Sequence, residues 1–537
     1  MDWVTKFLTW FPALATALAM LLAQRSLMHD FQLESYQFPG YFRTLRRNWK
    51  RALLPGVTLA VYLTLLFLAY RSIDQMLPGN VWHVLLALVN LALAVAGGWW
   101  CRSIFQQKKA KKPFVVTMRV KRTYLVMGIV YTLLCTPLAL LTRPYCCGLM
   151  PLLLPLWVAL GGLLAWPLEK LVSEMYFRDA QKKLAARPDI IKIGITGSYG
   201  KTSVKFILGT ILQEKYQTLI TPSSFNTPMG VTKIIRERLT PATQVFVAEM
   251  GARHVGDIKE LCRLVHPRYG VLTSVGPQHL DTFHTIDRIK NTKYELMDAI
   301  PADGCCFFPD DGAICRELYD RTEKEKRLCS LRYSPDADVW ATDVTVSPTG
   351  SRFVLHTCTE EIACETRLLG EHNIQNILLA ATVALHLGLT MRQVARGISK
   401  LQPVEHRLQL IPSAGITIID DAFNSNPKGA EAAVKVLGAF RTRRIIITPG
   451  MVELGGQEAA FNREFGRKIC GNADIAILVG KKHTQPIAEG LLEAGFQREN
   501  LHVVASLDEA TALLRQIGRP GDIAMFENDL PDHYSET

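Results

Sequence analysis

The sequence predicts an α-helical transmembrane domain followed by two α/β domains, the second smaller than the first. Three observations predict it. The first 170 residues hold long runs without Asp, Glu, Lys or Arg. A short apolar strand pattern at residues 190–195 enters the glycine-rich stretch Gly197–Thr202, and a helical pattern follows. Beyond residue 403, strand and helix patterns alternate, as they do in a parallel sheet covered by helices.

Five apolar stretches lie in the first part: Phe7–Ala23, Ala52–Tyr70, Val81–Trp100, Thr123–Thr142 and Tyr145–Pro167. A spanning helix needs roughly 20 apolar residues, so each is read as a span. The loop 24–51 carries Arg25, Arg43, Arg46, Arg47, Lys50 and Arg51, and the loop 101–122 is equally basic. The intervening loops offer Arg71 and Arg143 only. Basic loops stay in the cytoplasm. The expected topology is a multi-pass plasma-membrane protein with its N-terminus outside and everything after Pro167 inside. Residues 168–187 then read as a separate amphipathic helix, lying on the membrane or packing on the next domain.

Charge is divided in the same way. Residues 1–190 hold 22 Lys/Arg against 8 Asp/Glu, and the remainder holds 39 against 41. The basic excess belongs to membrane loops, so no nucleic-acid partner is expected. The 12 cysteines include no C-x-x-C pair, which speaks against structural zinc built on paired ligands. They read as reduced and mostly buried.

The stretch from Gly197 has the make-up of a phosphate cradle. Backbone N–H groups at a helix N-terminus face the anion. Lys201 would reach the β- and γ-phosphates of ATP, and the Thr202 hydroxyl would ligate Mg²⁺. The strict Walker spacing wants glycine where Ile195 stands. A second strand, Gln244–Ala248, ends at Glu249, where P-loop folds hold their metal. A third strand, Tyr269–Val275, runs into the loop Gly276–Phe283 with His279. Three strand ends carrying Thr202, Glu249 and His279 form the candidate centre.

The order TGSYGKTS, VAEMGA, SVGPQHLDTF, Lys293-Tyr294-Glu295, GEHNIQN, Glu405-His406-Arg407 and DDAFNSNP resembles the Mur ligase family over about residues 190–460. The resemblance implies a Mur ligase central ATP-binding domain over 189–402 and a Rossmann-like C-terminal domain over 403–537. These follow a membrane domain over 1–168 and a linker helix over 169–188. It implies ATP-dependent amide-bond formation through an acyl phosphate. By similarity, Gly197, Ser198, Gly200, Lys201, Thr202 and Ser203 hold the phosphates. Thr202 and Glu249 hold one Mg²⁺, and His279 helps hold a second. Lys293 matches a lysine that the family carbamylates. Asn226 and Thr227 match the loop facing the reacting carboxylate. His372, Asn373 and Asn376 resemble adenine-side residues. Arg407 resembles an arginine that reaches the phosphates from the domain boundary, and Asp421 matches the ribose and cleft-closing part of the last domain.

Two departures bear on substrate. Membrane helices stand where the family has a soluble domain gripping a UDP-sugar. The last strand reads Ala524-Met525-Phe526-Glu527-Asn528-Asp529, acidic where the family has a Lys/Ser turn, which favours a more cationic amine. The acceptor is expected to be a small-molecule or lipid-linked carboxylate, the donor an amino-acid or peptide amine, and the setting the cell-wall synthesis machinery. Two rival readings are a transport ATPase and a catalytically retired scaffold. The first is weakened by the distance of Leu454-Gly455-Gly456-Gln457 from the P-loop, the second by the intact Lys201, Glu249, His279 and Arg407.

Overall fold

The computed structural model describes residues 3–76, 80–106, 113–141, 144–223, 225–278, 280–413, 415–423, 425–452 and 454–529. The chain forms two compact units, Met1–Glu174 and Met175–Thr537. The first is helical: α1 (Trp3–Ala23), α2 (Arg25–Leu33), α3 (Phe38–Arg47), α4 (Trp49–Asp74), α5 (Asn80–Ile104) and α6 (Met118–Leu141). A 3₁₀ stretch, Pro144–Leu153, then leads into α7 (Leu154–Ala185).

Among the described residues, three stretches are long and apolar enough to cross a membrane: Trp49–Asp74, Val81–Ile104 and Cys146–Ala185. The pair Phe11–Ala23 and Arg25–Leu33, bent by 45°, makes a fourth if it counts as one span. The expected span Thr123–Thr142 follows α6, and its last residue lies outside the described residues. Met20, Leu63, Phe67 and Tyr131 are buried inside this unit, while Val61, Leu65, Leu125 and Leu133 face outward. At the border of the apolar stretches, Arg122 forks onto Glu169 with bonds of 2.6 and 2.8 Å.

Two expectations are corrected here. Residues 24–51 do not form an open loop: they fold into α2 and α3, because Leu27, Met28, Phe31 and Tyr41 bury among the neighbouring helices. Residues 168–187 are not a separate surface helix but the continuation of α7. The expected break followed the change of composition at Pro167. The backbone ignores that change, since the charged residues that follow are good helix formers. The tail of α7 buries Phe177, Ala180 and Leu184 in the core of the second unit.

That unit begins with β1 (Ile191–Thr196), α8 (Lys201–Leu212), β2 (Thr218–Ile220), α9 (Pro228–Arg238), β3 (Val245–Glu249), α10 (Asp257–Val265), β4 (Tyr269–Leu272), α11 (Leu280–Phe283), α12 (Ile286–Ala299), β5 (Cys305–Pro309), α13 (Ile314–Arg321) and β6 (Lys326–Ser330). There follow β7 (Val339–Ser347), β8 (Gly350–Thr357), β9 (Glu361–Thr366), α14 (Glu371–His386) and α15 (Met391–Ser399). The nine strands form one sheet in the order β2-β3-β1-β4-β5-β6-β7-β8-β9. It is parallel up to β7, and β7, β8 and β9 extend it as an antiparallel meander. β3 is buried along its whole length, as a strand covered on both faces must be.

A second sheet follows, built from β10 (Gln409–Ser413), β11 (Ile416–Asp421), α16 (Pro427–Gly438), β12 (Arg444–Thr448), α17 (Glu458–Ile469), β13 (Ile475–Val479), α18 (Gln485–Glu493), β14 (Leu501–Val504), α19 (Leu507–Ile517) and β15 (Ile523–Glu527). Its order is β10-β11-β15-β12-β13-β14, parallel except for β10.

Candidate active site

β1 lies between β3 and β4, so the chain leaves it at the point where the strand order reverses. Crevices of this kind, beyond the carboxyl ends of parallel strands, are where α/β sheets bind ligands. The register sets Glu249 beside Ile195 and Leu272 beside Thr196. Three strand ends therefore meet at the loop that follows Thr196.

That loop is tight. Gly197 has φ +153°, and a Cβ there would lie 2.1 Å from the Thr273 hydroxyl. Gly200, at φ +80°, would bring a Cβ to 2.9 Å from Asn376 Oδ1. Only glycine fits such positions. The Ser198 hydroxyl donates to Gly276 O at 2.9 Å and accepts from Gly276 N at 3.1 Å. Tyr199 N–H donates to Ser274 Oγ at 2.9 Å. The loop is thus tied to residues 274–276, and the Ser198 side chain is spent on that tie.

Lys201 opens α8, with Ser203 part-buried two residues on. Lys201 Nζ donates to Gly197 O at 2.6 Å and Ser198 O at 3.0 Å. Burial, reinforced by Arg407, pulls its ammonium down to about 8 against the pull of Glu249. Thr202 Oγ1 donates to Glu249 Oε2 at 3.0 Å, and Asn226 Nδ2 donates to Glu249 Oε1 at 3.0 Å. Sequence reasoning missed Lys205, which is fully buried and donates to Glu249 Oε2 at 2.9 Å. It stands one turn beyond Lys201 on the same helix face, a spacing that could have singled it out. Burial would raise the Glu249 carboxyl, but Lys205 and Lys201 outweigh it and keep it below its ordinary range.

Lys293 lies on α12 and is 2% exposed, so it is no surface charge. Burial, with Lys201 adding to it, drives its pKa far down against the pull of Asp257 and Glu295. Glu295 accepts from Gly256 N and Lys259 N, both at 2.9 Å, at the start of α10. Thr227 caps α9 by accepting from Gly230 N at 3.3 Å. His279 and Asn424 lie outside the described residues.

At the start of α14, Asn373 Nδ2 donates to Leu369 O at 2.8 Å, and Asn376 Nδ2 donates to Asn373 Oδ1 at 3.4 Å. Asn376 therefore stands against the phosphate loop, while the Asn373 amide is partly spent on its own helix start. Burial pushes the His372 imidazole down to about 4, so it is neutral at pH 7.

The second sheet contributes from its own strand ends. The Arg407 guanidinium sits over the Phe423 ring at 4.5 Å and feels both Asp421 and Glu249. Asp421 and Glu527 are register partners at the ends of β11 and β15. Asp421 Oδ1 accepts from Leu408 N at 3.2 Å. Glu527, 1% exposed, accepts from Thr448 Oγ1 at 2.6 Å and from the Ser425 hydroxyl. Burial pushes Asp421 up to about 8, with Glu527 adding to it, and pushes Glu527 up to about 7. Glu527 was visible in sequence only as part of an acidic departure. Between the two sheets, a cavity of about 660 Å³ is lined by Pro277, Leu280, His284 and Ile286 on one side and by residues 454–457 and Phe461 on the other.

Comparison with known proteins bears on this geometry. The Mur ligase middle domain family model matches residues 195–384, and the model of the Mur ligase glutamate ligase domain matches residues 406–526. The chain is 32% identical over 359 residues to the UDP-N-acetylmuramoyl-tripeptide–D-alanyl-D-alanine ligase of Mycobacterium bovis, covering 62% of this chain and 69% of the relative. It is 31% identical over 307 residues to the Escherichia coli protein of the same name, covering 56% and 67%. Among solved structures, MurF from Acinetobacter baumannii superposes with a TM-score of 0.62 at 26% identity, over 68% of this chain and 79% of that one.

Proposed function

The chain belongs to the Mur ligase family and is an ATP-dependent ligase that forms amide bonds, and on that premise we propose that it works as a membrane-anchored enzyme of cell-wall synthesis. It joins a carboxylate to an amine through an acyl phosphate. The observation that carries this reading is the convergence of Lys201, Thr202, Asn226 and Glu249 at the reversal point of the first sheet.

In the proposed reaction a substrate carboxylate oxygen attacks the γ-phosphorus of ATP. The bond to the β-bridging oxygen breaks and ADP leaves. The amine then attacks the acyl carbon, phosphate departs and the ammonium proton is released. No protein nucleophile is needed, so catalysis consists of positioning and charge. Lys201 and the 197–203 loop bind the phosphates. The Thr202 hydroxyl and the Glu249 carboxylate, 3.0 Å apart, are hard oxygen donors that suit Mg²⁺. When bound, magnesium neutralises the repulsion between carboxylate and triphosphate. His279 is assigned to a second ion from its position in the sequence between β4 and α11. Asn226 and Thr227 face the acceptor carboxylate, with the Asn226 amide also fixing Glu249. Arg407 reaches the phosphates from the second sheet. His372, Asn373 and Asn376 border the adenine, and Asp421 the ribose side.

Lys293 is assigned as a carbamate. Burial disfavours the ammonium form of Lys293, and it is the neutral amine form that attacks CO₂, with loss of one proton. Labelling with ¹³C-bicarbonate is expected to give a carbamate resonance that Lys293→Ala lacks. An unlabelled wild type overturns the assignment.

The outward-facing apolar side chains of α4, α5 and α6 support a membrane anchor. The basic stretches 24–51 and 101–122 support a cytoplasmic location for the α/β domains, with the N-terminus outside. The family models begin only at residue 195. We therefore assign a lipid-linked or surface-polymer carboxylate as acceptor, with an amino acid or peptide as amine. The relatives' names favour a second reading, a soluble UDP-linked tripeptide joined to D-alanyl-D-alanine. The test is phosphate release and amide product from the full-length protein in detergent with ATP and Mg²⁺. UDP-linked and lipid-linked acceptors are screened against an amine panel that includes diamino acids. Turnover of the UDP-linked acceptor alone overturns the lipid-linked reading.

A further inference from the structure

We propose that Cys305, Glu325 and His386 form a binding site for a transition-metal ion of the Zn²⁺ class, at the amino-terminal ends of the strands of the first sheet, opposite the ends that carry the phosphate loop. Cys305 opens β5, Glu325 stands immediately before β6, and His386 closes α14. β5 and β6 run side by side in parallel, and Cys306 N–H donates to Glu325 O at 2.9 Å. Their first residues thus lie together at the amino-terminal ends of the parallel strands. The phosphate loop leaves from the opposite, carboxyl ends, after the last residue of the parallel strand β1.

The three ligand atoms, Cys305 Sγ, a Glu325 carboxylate oxygen and a ring nitrogen of His386, lie within 4.8 Å of one another. Among the described residues no other trio of His, Cys, Asp and Glu side chains meets that condition. Packing fixes two of the three. Cys305 is fully buried. The His386 ring stands edge-on to Tyr269 at 5.5 Å and to Phe307 at 5.3 Å. Glu325 is exposed and closes the trio from the solvent side, leaving a fourth position for water.

The donor set selects the ion. Sulfur, imidazole and carboxylate around an open tetrahedron suit Zn²⁺. Mg²⁺ and Ca²⁺ take oxygen ligands, so this site does not duplicate the one at Glu249. Zinc bond lengths put tetrahedral ligand atoms about 3.5 Å apart, so the trio has to draw in by about 1.3 Å at most. The exposed Glu325 can make that movement, and the Arg327 guanidinium, which donates to Glu325 Oε1 at 2.8 Å, is its orienting partner. On binding, the Cys305 S–H bond breaks, a sulfur–metal bond forms and the proton goes to solvent, with no electron transferred. The ion would pin the last turn of α14 to β5 and β6.

The experiment uses the purified full-length protein, loaded with Zn²⁺ or Co²⁺ in excess Mg²⁺ and then desalted. We expect one equivalent of zinc per chain by elemental analysis, and a thiolate-to-cobalt charge-transfer band in the Co²⁺ form. Both should disappear in His386→Ala. Glu325→Gln changes an exposed side chain and leaves the core intact, and it should weaken zinc binding at least about tenfold. Zinc should raise the melting temperature of the wild type and not of His386→Ala. Zinc retained equally by wild type and variants overturns the proposal, as does a cobalt form without the thiolate band.

Discussion

The two sheets of the catalytic unit end in sites of opposite character. Around the phosphate loop, the buried amines Lys201 and Lys205 act on one carboxylate, Glu249, and Lys201 acts in turn on the buried Lys293. At the corresponding ends of the second sheet, Asp421 and Glu527 stand side by side with Arg407 near. Burial pushes the two sets in opposite directions, Lys201 down to about 8 and Glu527 up to about 7. Both shifts mean that the charged form is held at a cost in the folded chain. On the proposed reading, triphosphate charge offsets that cost in the first site, so the site favours its ligand. In the second, hydroxyl groups of Thr448 and Ser425 offset part of it internally. One site is built to be completed, and the other is largely complete already.

The largest test of this contrast is Lys201→Met. On the ligand-completed side, loss of the phosphate-facing charge should cut ATP-dependent phosphate release about 10³-fold, with little change in melting temperature. Phosphate release within about threefold of wild type would remove Lys201 from the phosphate site.

Next comes Lys205→Met, which strands Glu249 without its closest buried cation. Breaking a buried pair from one side costs about 3–5 kcal/mol, so denaturant unfolding should show a large loss. The double variant Lys205→Met with Glu249→Gln should recover much of it. A double variant no more stable than the single one would mean that Lys205 acts through packing rather than charge.

These two residues also mark how far the sequence could be read. Lys201, Thr202 and Glu249 were legible because the cues are local: a glycine turn after a strand, and an acid at a strand end. Lys205 was missed because its role depends on which strand lies beneath α8, and that is a matter of sheet order. The same holds for the pairing of Asp421 with Glu527. They are far apart in sequence and become neighbours only through the parallel pairing of β11 with β15. The antiparallel meander β7–β9 left no mark on the motif pattern. The continuity of α7 was hidden for another reason: composition changes at Pro167 while the helix does not.

Glu527→Gln gives a smaller effect with a definite sign. The folded chain keeps the Glu527 proton up to about pH 7, whereas the ordinary carboxyl value is 4.5. Between those values the folded state binds more protons than the unfolded one, so stability falls as pH rises through the window and stays lowered above it. The neutral amide removes that loss. The variant should gain on the order of 1–3 kcal/mol relative to wild type on going from pH 5 to pH 8. A pH-independent difference between the two proteins would place the proton elsewhere.

The smallest effect is a fraction of a proton. With Lys201 at about 8, its amine is about half protonated at that pH. Bound phosphates favour the ammonium form, so ADP binding at pH 8 should draw up to about half a proton from solution through this residue. Isothermal titration in buffers of different ionisation enthalpy reads that uptake directly. Lys201→Arg keeps a charge that does not titrate in this range, so it should bind ADP without this uptake. Equal uptake by both proteins would show that the proton goes to another group. The strain at the phosphate loop would then have to be sought in Lys205 and Lys293, the other buried amines near it, whose proton affinities are also lowered by burial.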